Sequence, residues 1–272
     1  MVKKFAVIGQ PIKHSLSPRI HSEFAKELGI DISYEAIEIA PKDFNSATKQ
    51  LLENGYDGLN VTLPLKELAY SLADEVSQIG RESGAVNTLW KEKGKIFADS
   101  TDGKGLVEDL LNNQISLKDS NLVILGAGGA ARSILPSVLS LHPKRLTLLN
   151  RTFEKSRALV DQFKASGVQI QALPMEEIPE GSLTGVINTT SAGVIGEDLI
   201  LNQRIFQKAD WSYDLNYSKE TTYFNQLAKD AGIEVCLDGL GMLVGQAAIS
   251  FKIWTGKRPS TNRVLNLIKS SL

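Results

Sequence analysis

An apolar run from Asn121 to Leu125 leads straight into Gly126-Ala127-Gly128-Gly129-Ala130-Ala131, and a helical pattern continues to about Leu141. A strand that hands over to a helix through glycines constrains this chain more than any other feature. The helix must pack back on its strand, and the next strand, Arg145 to Leu149, must then run parallel to the first. Gly126 permits the tight turn, Gly128 lets a ligand approach the backbone without a Cβ in the way, and Ala131 is small enough for close helix–strand packing. The helix N-terminus offers free N–H groups and a positive dipole end, which suits a pyrophosphate. Gly126, Ala127, Gly128, Gly129 and Ala130 are therefore candidate dinucleotide contacts. A glycine-rich turn with no ligand fits the same residues, since the pattern alone is weak.

The second strand narrows the choice. It ends in Asn150-Arg151-Thr152, where an NAD-binding chain usually carries an acidic residue for the ribose 2′-hydroxyl. Arg151 instead presents a planar guanidinium suited to a 2′-phosphate. Thr152 adds a hydroxyl, and Lys155 adds a second charge from the next helical turn. These residues point to NADP rather than NAD, with a solvated surface arginine as the alternative reading of Arg151.

Short β-rich runs alternate with amphipathic helices along the rest of the chain, the pattern of an α/β fold with largely parallel sheets. Strands are expected at Lys4–Gly9, Ile32–Ile39, Gly58–Thr62, Ala85–Trp90, Lys95–Ala98, Gly185–Asn188 and Asp210–Leu215. Helices are expected at Pro18–Leu28, with Ser17 as N-cap, and at Leu240–Trp254. The limits read as a substrate domain over 1–103, a Rossmann-type nucleotide domain over 104–237, and a helical return to the first domain over 238–272. At 272 residues the chain is long enough for two modest domains. Its 30 basic and 31 acidic residues give a net charge of −1, so no basic excess argues for nucleic acid. The N-terminus lacks the long apolar core of a signal peptide, and no apolar stretch approaches the roughly 20 residues that cross a bilayer. Cys236 has no second cysteine to pair with, and His14, His21 and His142 form no spaced ligand set with it. The expectation is a cytoplasmic protein without a structural metal. Sequence leaves the oligomeric state open, and a homodimer is compatible with it.

Polar motifs crowd the ends of the early strands. They are His14-Ser15-Leu16-Ser17-Pro18, Asn60-Val61-Thr62-Leu63-Pro64-Leu65-Lys66, Gly84-Ala85-Val86-Asn87-Thr88 and Ser100-Thr101-Asp102-Gly103. Strand ends facing a crevice are where open α/β sheets bind ligands. Each residue also has a plainer reading. Ser17 or Asp102 can cap a helix, Asn87 can fix a turn, and Lys66 can be one more exposed lysine. Met242 and Gln246, four apart, share a helix face that Ile249 and Ile253 extend. A glutamine in such a stripe needs a partner, and a polyhydroxylated ring is one candidate.

Taken in order and spacing, these segments resemble the shikimate/quinate dehydrogenase family over nearly the whole chain. Asp214-x-x-Tyr217 with Thr222, and Gly241-Met242-Leu243-Val244-x-Gln246-Ala247, belong to the same likeness. Ser100 and Lys219 depart from the family's usual Asn and Pro at those places. The resemblance implies NADPH-dependent reduction of 3-dehydroshikimate to shikimate, with no metal. It implies a catalytic pair of Lys66 and Asp102, with Ser15, Ser17 and Tyr217 at the substrate carboxylate, and Thr62, Asn87 and Gln246 at the ring hydroxyls. It implies a cofactor site lined by Gly126 to Ala130, Asn150 to Lys155, Leu215, Gly239 and Met242. Preference for quinate or NAD, a folate-type methylene dehydrogenase and a non-catalytic NADP sensor remain as rival readings.

Overall fold

The computed structural model describes residues 2–192 and 201–272. The chain forms two compact units, one running through Glu108 and resuming over Met242–Ser271, the other spanning Asp109–Gly241. In chain order the first unit contains β1 (Lys3–Gly9), α1 (Ser17–Leu28), β2 (Ile32–Glu38), α2 (Phe44–Glu53), β3 (Gly58–Val61), α3 (Lys66–Leu72), β4 (Glu75–Val76), α4 (Gln78–Ser83), β5 (Thr88–Glu92) and β6 (Lys95–Asp99), and α5 (Asp102–Asn112) leads out of it. Its six strands lie in the order β2-β1-β3-β5-β6-β4. β1 runs parallel to β2 and β3, while β5 is antiparallel to β3 and β6. The reversal between β5 and β6 follows from the Lys93-Gly94 turn, where both residues take positive φ, 50° and 80°, as a two-residue hairpin with the twist of its strands requires.

β1 reads as a continuous apolar run because both of its faces are covered. On one face Ala6, Ile8, Leu59, Val61, Val86 and Leu89 pack with Phe44 and Leu52 of α2. On the other, Phe5 stacks on Trp254 with ring centroids 4.7 Å apart.

The second unit contains β7 (Asn121–Leu125), α6 (Gly129–Leu139), β8 (Arg145–Asn150), α7 (Phe153–Phe163), β9 (Gln169–Pro174), β10 (Gly185–Asn188), β11 (Trp211–Asp214), α8 (Tyr223–Asp230) and β12 (Val235–Asp238). Its sheet is parallel throughout, in the order β12-β11-β10-β7-β8-β9. Counted within the unit, that is the doubly wound 3-2-1-4-5-6 order, and its switch point lies between β7 and β10. The chain then returns through α9 (Leu240–Thr255) and α10 (Thr261–Lys269).

Several expected boundaries move, each for a local reason. Ser17 is not a cap: Leu16 holds that position without a side-chain cap bond, and Ser17 is buried in the first turn of α1. The strand expected at Ala85 begins at Thr88, although Asn87 already bonds both neighbouring strands through its backbone. α6 stops at Leu139 rather than Leu141, and His142 then turns to a φ of 52° that no right-handed helix accommodates. The limits expected at 103 and 237 lie a few residues before the points where contacts change units, and those points fall inside α5 and α9. A helix is one continuous hydrogen-bonded rod, so it hides such a change from a reading of breakers and turns.

Candidate active site

In the first unit, Lys66 opens α3 and Asp102 opens α5. A carboxylate at a helix N-terminus is favoured by the helix dipole, whereas an ammonium there is not. The two side chains answer each other: Lys66 Nζ lies 2.7 Å from Asp102 Oδ2, at side-chain exposures of 12% and 7%. The second carboxylate oxygen, Oδ1, accepts a hydrogen bond from Asn87 Nδ2 at 2.9 Å. Asn87 cannot turn its amide around, because its Oδ1 accepts from the backbone N–H of Thr101 at 2.8 Å. The other hydrogen of its Nδ2 is shared between Thr101 Oγ1 at 2.9 Å and Gln246 Oε1 at 3.1 Å.

Gln246 therefore finds a partner inside the protein. Its Nε2 donates to Leu243 O at 2.9 Å, which leaves the second amide hydrogen for a ligand hydroxyl. Lys66, Asn87, Asp102 and Gln246 thus form one connected cluster from four distant segments. Thr62 follows β3 and donates its backbone N–H to Ile8 O at 2.9 Å. Ser15 and Ser17 sit together at the start of α1, where the Ser17 N–H donates to Ser15 Oγ at 3.3 Å. Tyr217 belongs to the second unit and Met242 to the first. Among the described residues, no group of three or more His, Cys, Asp or Glu side chains is placed to hold a metal ion.

In the second unit, Gly126 has a φ of 106°, and a Cβ there would stand 2.5 Å from Thr189 Oγ1, just past β10. Turn and close approach both require glycine, and both sit at the topological switch point. Gly128 is different. It is exposed, its φ is −89°, and a Cβ would meet nothing within 4 Å. Neither backbone strain nor packing within the protein demands glycine there, and the open space leaves room for a ligand close to the backbone. Gly129 and Ala130 begin α6, whose N-terminus carries no side-chain cap. Its free N–H groups fit a pyrophosphate.

At the end of β8, Asn150 Nδ2 donates to Thr152 O at 2.7 Å, and Arg151, Thr152 and Lys155 are exposed. The residues present therefore fit a dinucleotide with a 2′-phosphate. Leu215 follows β11 and donates its N–H to Asn188 O at 2.9 Å, while the Gly239 N–H donates to Asn216 O at 3.0 Å. Asp214 beneath this loop accepts from Asn188 and Asn216. Burial raises its carboxyl above the ordinary range, and those donors, with Thr222, oppose the shift.

The sequence reading passed over Thr189, which walls the glycine turn, and Ser250, which lies one turn beyond Gln246 on α9. Its spacing of four from Gln246 was the available signal.

Comparison with known proteins places these features. Residues 7–89 match the shikimate dehydrogenase substrate binding domain, 106–205 the shikimate/quinate 5-dehydrogenase domain, and 239–269 the shikimate 5′-dehydrogenase C-terminal domain. A protein named shikimate dehydrogenase (NADP(+)) from Vibrio atlanticus is 41% identical over 272 residues, covering 100% of this chain and 98% of that one. The chain belongs to the shikimate dehydrogenase family. A second shikimate dehydrogenase (NADP(+)), from Psychromonas ingrahamii, is 44% identical and covers 98% of each chain. The shikimate 5-dehydrogenase of Thermus thermophilus, solved in complex with NADP(H) and shikimate, is 32% identical, covers 100% of both chains and superposes with a TM-score of 0.89.

Proposed function

We infer that this member of the shikimate dehydrogenase family interconverts 3-dehydroshikimate and shikimate with NADP(H), and that Lys66 and Asp102 are its catalytic pair. The observation that carries the assignment of the pair is the buried 2.7 Å contact between them, with the carboxylate held from its other side by Asn87. NADPH, when bound, supplies hydride to the ring ketone carbon. Lys66, as an ammonium, donates a hydrogen bond to the carbonyl oxygen, stabilises the charge growing there and delivers the proton. In the oxidation direction neutral Lys66 takes the hydroxyl proton. Asp102 orients Lys66 and accepts a hydrogen bond from a neighbouring ring hydroxyl.

Ser15, Ser17 and Tyr217 bind the substrate carboxylate through hydroxyl donors, and Thr62, Asn87 and Gln246 bind ring hydroxyls. Gly126 to Ala130 cradle the pyrophosphate, and Arg151, Thr152 and Lys155 hold the 2′-phosphate beside Asn150. Leu215, Gly239 and Met242 line the rest of the cofactor site. On this reading the first unit is the substrate domain and the second the NADP domain. We place the enzyme in the cytoplasm, in keeping with the absence of a membrane-spanning helix among the described residues. A homodimer is the assembly that sedimentation should look for.

The test is the loss of NADPH absorbance on adding 3-dehydroshikimate, run beside NADH and the quinate series. A higher kcat/KM for NADPH with 3-dehydroshikimate than for any other pairing is the expected result. Preferential turnover of quinate, or equal use of NADH, would replace this assignment.

A further inference from the structure

Behind the Lys66–Asp102–Asn87 cluster lies a second layer of hydroxyls that neither binds the substrate in the reading above nor touches the ion pair. Its centre is Ser250 on α9, which is fully buried. Ser250 Oγ lies 2.7 Å from Thr88 Oγ1, 3.2 Å from Thr101 Oγ1 and 3.1 Å from the Gln246 carbonyl oxygen. Asn60 Nδ2 donates to Ser250 Oγ at 3.0 Å and to Asn87 O at 3.1 Å. The Asn60 amide is itself oriented, because its Oδ1 accepts from the Tyr34 hydroxyl at 2.7 Å. Thr88 Oγ1 reaches Asn87 Oδ1 at 3.1 Å.

One set of directions satisfies this network. With Tyr34 donating to Asn60, the Asn60 amide hydrogens must face Ser250 and the Asn87 carbonyl. Ser250 Oγ has one hydrogen to share between Thr88 Oγ1 and the Gln246 carbonyl; given to Thr88, it frees the Thr88 hydrogen for Asn87 Oδ1, while Thr101 donates to Ser250 and accepts from Asn87 Nδ2. One hydroxyl so ties α9, which carries Gln246, to β3, to β5 and to the residue before Asp102. A buried serine with so many polar neighbours is more than filler, since leaving any of them unpaired in a dry site is unfavourable.

We propose that Ser250, acting through Thr88 and Thr101, is a positioning residue that holds the Asn87 amide and hence the Asp102 carboxylate in the orientation Lys66 requires. The inference rests on the catalytic reading given above. It locates the rigidity of the site in side chains on the far side of the substrate contacts. Small displacements of a reacting pair have large kinetic effects, so kcat is the quantity that should respond.

The experiment compares Ser250→Ala, Thr88→Val and Thr88→Ser with the wild-type chain in steady-state turnover of shikimate with NADP. Thr88→Val keeps the volume and deletes the hydroxyl, whereas Thr88→Ser keeps the hydroxyl. Ser250→Ala and Thr88→Val should each lower kcat about tenfold while KM for both substrates stays within about twofold. Thr88→Ser should retain kcat within about twofold. The proposal is overturned if Ser250→Ala leaves kcat unchanged, if KM rises in step with the loss, or if Thr88→Ser loses as much as Thr88→Val. Ser250→Ala removes a single atom and decides the matter if Thr88→Val does not fold. A wild-type chain inactive with shikimate would refute the functional reading instead, so the two failures are distinguishable.

Discussion

Lys66 and Arg151 present the same charge in opposite settings, one buried against a carboxylate and the other exposed at a strand end. Their variants should therefore fail differently. Lys66→Ala removes the proposed proton donor, and kcat should fall by on the order of 10² or more with a much smaller change in KM; near-normal turnover would take Lys66 out of the chemistry. Arg151→Ala should weaken NADPH binding far more than NADH binding, because only NADPH carries the phosphate that a guanidinium would grip; equal losses in a titration would contradict that assignment. His21 makes a third case. It is fully buried and stacks on Tyr34 at 4.2 Å. Burial lowers its pKa to about 3, the nearby Asn60 amide opposing only in part. The folded chain keeps this ring neutral while the unfolded chain protonates it below about 6.5. Stability therefore falls as pH drops from about 6.5 towards 3. Between pH 7 and pH 5 that amounts to about 2 kcal/mol. In denaturant titrations at the two pH values, His21→Phe should lessen the pH dependence by that amount, and an unchanged dependence would refute the argument.

At the scale of elements, α9 matters most, because it brings Gln246 and Ser250 to residues from β5 and the start of α5. Its approach to α5 depends on Gly105. A Cβ there would stand 2.7 Å from Gln246 N and 2.8 Å from Met242 O, both backbone atoms of the helix rather than movable side-chain ends. Gly105→Ala must push the two helices apart. We expect a loss of about 1–3 kcal/mol, the usual scale for overpacking, together with a raised KM for shikimate as Gln246 leaves Asn87. Thermal unfolding and steady-state kinetics check both parts. A variant of normal stability and KM would show that the helices have slack the distances do not suggest.

For the molecule as a whole, binding and stability are linked by mass action. NADPH at one hundred times its Kd should stabilise the chain by about 2.7 kcal/mol, provided the unfolded chain does not bind it. NADH at the same concentration should give a smaller rise in Tm, and Arg151→Ala should bring the two cofactors together. Equal rises in the wild-type chain would argue against recognition of the 2′-phosphate.

The sequence by itself determined the α/β class, the strand–glycine–helix turn after Leu125 and the family, because these are written in local periodicity, in residues with special backbone properties and in ordered motifs. It left open whether Lys66 is one more exposed lysine, since no local pattern reports a partner 36 residues away. It also misread Ser17 as a cap, gave no sign that Gln246 pairs with Asn87, and passed over Ser250. Those outcomes rest on which side chains the folded strands and helices bring within hydrogen-bond distance. Such contacts depend on sheet order and helix crossing, and only the assembled tertiary structure decides them.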